Sequence, residues 1–142
     1  MSTGGRSKAK PVLLTILLTW LMVFHIMGCD NGCDFDLGLY KGSNYGITYQ
    51  VFINWVEDDT FGADITFIKN KVPFTCKGCE FEYWYGTFKC YKCGESPDDL
   101  QKLVEYGNMG STNYLGMSIA DGCLSYYMTS QGNLTVELYV VG

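Results

Sequence analysis

The chain has 142 residues, of which 47% are hydrophobic and 15% aromatic, and a formal charge of −5 at pH 7. The charge is unevenly placed: Arg6, Lys8 and Lys10 precede Pro11, whereas all fifteen acids lie at or after Asp30, so the part beyond residue 28 sets seven lysines against fifteen acids, a formal −8. That part has no Arg, and the single His, His25, precedes it; this excludes the phosphate contacts that dominate nucleic-acid binding, nucleophile activation by His and zinc sites built on imidazole.

Residues 1–28 read as a secretory signal peptide. A basic flank is followed by Val12–Met27, apolar except for Thr15, Thr19 and His25, and then by Gly28, a small residue before a cleavage point. The apolar run is close to the shortest stretch that spans a bilayer, about 17 residues, so an uncleaved anchor is the second reading. Ile26-Met27-Gly28-Cys29 also resembles a bacterial lipobox, which implies lipidation of Cys29. Seven cysteines are an odd number, and a lipidated Cys29 leaves six for three disulfides; otherwise Cys29 is a free thiol. Asn133-Leu134-Thr135 is an N-glycosylation sequon and favours eukaryotic secretion. Every one of these routes places residues 29–142, one domain by length, outside the cytosol, either secreted or tethered at the outer face of a membrane through the N-terminal segment.

Cys33 ties down an acidic, turn-rich entry segment whose Asp30, Asp34 and Asp36 do not have the spacing of a calcium loop. A short strand is expected near 37–42. Ile47, Tyr49, Val51, Ile53 and Trp55 then alternate with Thr48, Gln50, Phe52 and Asn54, the pattern of a half-buried strand over 46–56. A loop at 56–60 leads to a strand over 61–69 that presents Phe61, Ala63, Ile65 and Phe67 to the same side and pairs Ile53 with Ala63. Glu57, Asp58 and Asp59 between them read as a solvated loop tip.

The stretch Thr75–Gly94 carries two Cys-x-x-Cys pairs, Cys76/Cys79 and Cys90/Cys93, around Tyr83-Trp84-Tyr85-Gly86. Folded as a hairpin over 74–83 and 86–93, it sets Cys76 against Cys93, Cys79 against Cys90, Phe81 against Phe88 and Glu80 against Lys89, favourable cross-strand pairs apart from Lys77 against Lys92. Directly opposed cysteines are within disulfide reach, and in an oxidising compartment disulfides are expected: Cys76–Cys93, Cys79–Cys90 and, by elimination, Cys33–Cys123. In a reducing compartment the same four hairpin cysteines are a zinc set. Neither Cys-x-x-Cys opens a helix, the setting that activates a redox cysteine, and Glu80 and Glu82 on one arm lack an opposing acid across a cleft. Catalysis is not expected and no cofactor is implied.

Ser96 as N-cap, Pro97 at the first helical position and Asp98-Asp99 in the first turn predict a short helix that ends at Gly107. Asp121-Gly122 predicts a two-residue hairpin turn between strands over 112–120 and 123–129, with Leu115 opposite Met128, Met117 opposite Tyr126 and Ile119 opposite Leu124. A last strand is expected over 133–141.

The sum is an all-β chain: an antiparallel meander of about eight strands with one short helix, closing into a small barrel or folding as a two-layer sandwich. The organisation is similar to that of lipocalin-type barrels, without their Gly-x-Trp signature, to which Gly38-Leu39-Tyr40 comes nearest. The function expected is non-enzymatic binding. One form uses an apolar cavity or an aromatic patch, with Tyr83, Trp84, Tyr85 and Trp55 as contact residues, for a small apolar ligand. The other is an extracellular protein–protein module (adhesin, inhibitor or effector) anchored by the Tyr83-Trp84-Tyr85 tip. A hollow barrel favours the first and a filled one the second.

Overall fold

The computed structural model describes residues 33–110, 115–130 and 134–141. The expected signal peptide (residues 1–28), Cys29 and Asn133 lie outside them. Every element described belongs to one compact unit, Asp34–Gly142. Among the described residues no helix is long and apolar enough to cross a membrane.

Eight strands follow in chain order: β1 (Gly38–Asn44), β2 (Ile47–Glu57), β3 (Thr60–Lys69), β4 (Val72–Trp84), β5 (Thr87–Lys92), β6 (Gly116–Ala120), β7 (Ser125–Ser130) and β8 (Leu134–Val141), with one helix, α1 (Asp99–Tyr106), between β5 and β6. Each strand pairs antiparallel with the next, and β8 returns to β1 through Leu39–Val141, Tyr40–Val140 and Lys41–Tyr139. The sheet is therefore a closed barrel rather than a sandwich, a form that leaves no edge strand to template aggregation.

Alternation explains the interior. Ile47, Tyr49, Val51 and Ile53 of β2 and Phe61, Ala63, Ile65 and Phe67 of β3 are buried, and Ile53 does pair with Ala63. The next residue out of step is Asn54: the register slips between Ile53 and Trp55, so Trp55 pairs with Gly62 and its side chain leaves the inward set. A β-bulge re-aims side chains in this way. The turn after β2 is correspondingly short, Asp58-Asp59 in place of the longer loop expected.

Both ends of the barrel are stopped by the chain itself. At one end Phe35 packs its ring against Tyr40, Phe61, Phe88 and Tyr126, at centroid distances of 5.2–5.7 Å. At the other, Leu103, Val104 and Met109 from α1 and the loop after it are buried in the same core, and the Tyr49 hydroxyl donates to the Gly107 carbonyl at 2.8 Å. Between them Phe61 stacks on Phe81 at 4.6 Å and Tyr49 meets Phe67 edge-on at 4.8 Å.

α1 starts at Asp99, with Asp98 at the cap position making no side-chain cap bond. Ser96 is thus not the N-cap. Its carbonyl accepts the Asp99 amide and its hydroxyl the Asp98 amide, while the Asp99 carboxylate accepts the amides of Glu95 and Ser96. Pro97 belongs to this preceding turn. Gly107 ends the helix as expected, its amide bonding the Leu103 carbonyl at 3.0 Å.

Two buried phenols carry a pH signature. Burial pushes both Tyr40 and Tyr49 from 10.0 up to about 12. For Tyr40 the hydrogen bond donated by the Asp36 amide to its hydroxyl oxygen only partly offsets this. A phenol whose folded pKa is raised gives stability that is complete below about pH 10 and is lost as pH rises toward 12. Spectrophotometric titration is expected to show these two of the eleven tyrosines ionising last, together with a fall in the denaturation midpoint over that range. Tyr40→Phe and Tyr49→Phe should each remove part of the late step; late ionisation unchanged in both variants would assign it to other tyrosines.

Candidate functional site

The β4–β5 hairpin carries an aromatic tip at one end and four cysteines at its base. Its turn is Tyr85-Gly86, both residues in the left-handed region at φ 49° and 86°, the pair of values a two-residue type I′ turn demands. Gly86 supplies the second at no steric cost, and the arms then pair Trp84 with Thr87, Tyr83 with Phe88, Glu82 with Lys89 and Phe81 with Cys90. The register expected from the opposed cysteines is therefore displaced by two residues. Phe81 does not face Phe88, nor Glu80 Lys89.

The displacement rearranges the cysteines. Cys79 is bonded to Cys93, while Cys76 and Cys90 are free thiols. The expected Cys76–Cys93 and Cys79–Cys90 bonds are thus both replaced. Cys33 and Cys123 each stand in a disulfide, and disulfides are compatible with an extracellular protein.

All four hairpin cysteines are buried, although strand residues three apart point to opposite faces. Two irregularities bring them to one side. The β3–β4 register slips between Ala63–Cys79 and Ile65–Cys76, with Gly78 at φ 71° in the bulge. β5 ends at Lys92, and Gly94 at φ 71° turns Cys93 back inward. The Gly94 amide bonds the Lys77 carbonyl at 3.0 Å, tying the two Cys-x-x-Cys loops together. The sulfurs of Cys76, Cys79 and Cys93 lie within 4.8 Å of one another, and that of Cys90 is 4.0 Å from Cys93. Burial pushes the Cys90 thiol up to about 12, and burial followed by the Asp99 charge raises Cys76. Both are protonated at neutral pH, the opposite of an activated redox cysteine.

At the tip the exposed fractions are 45% for Tyr83, 56% for Trp84 and 87% for Tyr85. Trp84 and Tyr85 meet edge-on at 4.8 Å, Lys89 places its Nζ 5.5 Å from the Trp84 ring, and Tyr83 leans on Phe88 at 5.3 Å. Tyr83 is thus rooted in the core, whereas Trp84 and Tyr85 face water. The β2–β3 turn sits alongside, its Asp59 carbonyl accepting the Tyr83 amide at 2.8 Å. Glu57, Asp58 and Asp59 are all exposed there, as is Glu82 on β4. The acids are neighbours of the aromatics, a juxtaposition that sequence spacing alone does not reveal.

Trp55 is 40% exposed on the outer wall and separated from β4 by β3. Its indole lies over Gly62, where an added Cβ would come within 1.9 Å of Nε1. It covers a glycine in the sheet and does not join the tip. Phe52 and Tyr91 are further exposed aromatics, missed because alternation gives no measure of exposure; the Tyr91 hydroxyl donates to Glu80 at 2.7 Å, and Lys92 is 3.8 Å from the same carboxylate.

The class defined by these elements is a closed eight-stranded antiparallel barrel with its interior occupied by side chains. No family model, no curated protein and no solved structure matches the chain.

Proposed function

We propose that the protein is a non-enzymatic extracellular binding module that docks a partner protein on the barrel end formed by Tyr83, Trp84 and Tyr85 and the acids Glu57, Asp58, Asp59 and Glu82. The observation that carries this reading is the filled barrel. With Phe35, Phe61, Phe81 and Phe88 packed ring to ring inside, the large apolar surface left for binding is on the outside. Exposed Trp and Tyr are the residue types that dominate interface hot spots. The acidic surround selects a partner bearing Lys or Arg, which pairs with the carboxylates and stacks on the rings.

The test is a photo-crosslinking amino acid at position 85 in the exported protein, incubated with material from its natural surroundings, followed by affinity measurement on the captured partner. Trp84→Ala with Tyr85→Ala is expected to weaken binding about 30-fold or more, the effect of a hot spot of about 2 kcal/mol. Added salt is expected to weaken it further. Equal affinity of the wild type and the double variant would rule out the tip. A small apolar molecule retained by the native protein in mass spectrometry would return the function to a ligand-binding barrel.

A further inference from the structure

Neither the filled barrel nor the aromatic tip accounts for the cysteine base of the hairpin. A bulge in β4 and a left-handed turn after β5 interrupt regular pairing, and the sulfurs of Cys76, Cys79 and Cys93 gather within 4.8 Å of one another with Cys90 beside Cys93. A single Cys79–Cys93 bond uses half of that arrangement and leaves two buried thiols beside it.

We propose that in the reduced protein these four cysteines form one closed tetrathiolate site for a zinc-class divalent ion. Zinc bonds thiolate at about 2.3 Å, which sets the sulfurs of a tetrahedral site about 3.8 Å apart. The Cys90–Cys93 separation of 4.0 Å is already of that size, and Cys76, Cys79 and Cys93 fall within 4.8 Å. Each pair comes from a short loop containing or followed by a left-handed glycine, Gly78 and Gly94, so each presents two sulfurs from one turn of chain. The Gly94–Lys77 backbone bond fixes one loop against the other. Burial of all four keeps water from the ion, as a structural site requires.

Ion and disulfide compete for Cys79 and Cys93. The Cys79 or Cys93 thiolate attacks a small-molecule disulfide, expelling one reagent thiolate and forming a mixed disulfide; the other cysteine thiolate then attacks that bond, joining Cys79 to Cys93 and expelling the second reagent thiolate. The metal is released, and Cys76 and Cys90 each take one proton from water, which gives the covalent state described above.

The experiment is anaerobic titration of the fully reduced full-length chain with cobalt(II), followed by zinc. One equivalent of cobalt is expected to give the intense absorption of a tetrahedral thiolate site, displaced stoichiometrically by zinc. Cys76→Ser and Cys90→Ser keep the Cys79–Cys93 pair intact, and each should lower cobalt affinity by more than about 100-fold, beyond the usual effect of losing an outer-shell partner. Absence of stoichiometric uptake, or the weak spectrum of a six-coordinate aquo site, overturns the proposal. So does wild-type affinity in both variants. Should a variant fail to fold, the wild-type titration decides alone.

Discussion

Phe61→Ala is expected to destabilise the domain by about 4 kcal/mol, within the range for deleting a fully buried phenyl group. Phe61 is 1% exposed, stacks on Phe81 at 4.6 Å and meets Phe35 and Phe88 at 5.2 and 5.3 Å. It sits where the plug, β3, β4 and β5 converge, so its removal takes a ring contact from each of Phe35, Phe81 and Phe88. None of them can move in to close the gap without breaking its own contacts. Against a total stability of about 5–15 kcal/mol for a domain of this kind, much of the margin goes. Equilibrium denaturation in urea, comparing midpoints at unchanged slope, measures it. The result also bears on function. A barrel holding a ligand chamber would have room to absorb the loss, and a cost below about 1 kcal/mol would show that the interior around Phe61 is not close-packed.

Much of this fold was legible because an antiparallel barrel writes itself in period two. The alternation of Ile47–Ile53 and Phe61–Phe67 named the inward residues and their pairing, and eight turn-separated runs gave the meander and its closure. The misreadings share one cause. A pattern of period two fixes which face a residue takes but cannot distinguish registers that differ by two residues. Tyr85-Gly86 rather than Trp84-Tyr85 makes the β4–β5 turn, and the pairing moves by two. After β6 the turn runs over Asp121–Leu124, with Asp121, Gly122 and Cys123 at positive φ. Met117 then faces Met128, and Ile119 faces Tyr126. In both cases the buried Phe81, Phe88, Met117 and Met128 stay on their expected face.

Bulges were invisible for a different reason. A single inserted residue at Asn54 turned Trp55 outward, and one near Gly78 brought Cys76 and Cys79 to the same side. Neither leaves a compositional mark beyond a glycine. The exposure of Trp84 and Tyr85 was legible because large rings at a turn extend beyond the end of the core. Their acidic neighbours were not, since Glu57–Asp59 is brought to them by the pairing of β3 with β4 and the hydrogen bond between Tyr83 and Asp59.

Gly42→Ala tests the closure that separates barrel from sandwich. Gly42 is buried on β1, and a Cβ there would lie 2.1 Å from the Glu137 carbonyl oxygen and 3.1 Å from Leu138 Cδ2. The first is backbone and cannot swing aside, so β8 must retreat from β1. Among the described residues the seam it leaves pairs Leu39–Val141, Tyr40–Val140 and Lys41–Tyr139, and a retreat of β8 pulls directly on them. A loss of about 3 kcal/mol is expected, at the upper end for overpacking. Gly46→Ala is the control. Gly46 lies in the β1–β2 turn at φ 79° with open space around its Cβ direction, so alanine there adds only the left-handed backbone strain of about 1 kcal/mol. Hydrogen exchange should separate the two. Gly42→Ala is expected to speed exchange at Leu39–Lys41 and Tyr139–Val141 well before the amides shared by β3 and β4, because the strain falls on the β1–β8 seam and lowers the cost of opening it locally, whereas Gly46→Ala leaves that order unchanged. Equal costs for the two variants, with uniform exchange, would mean that β1 and β8 do not close the sheet.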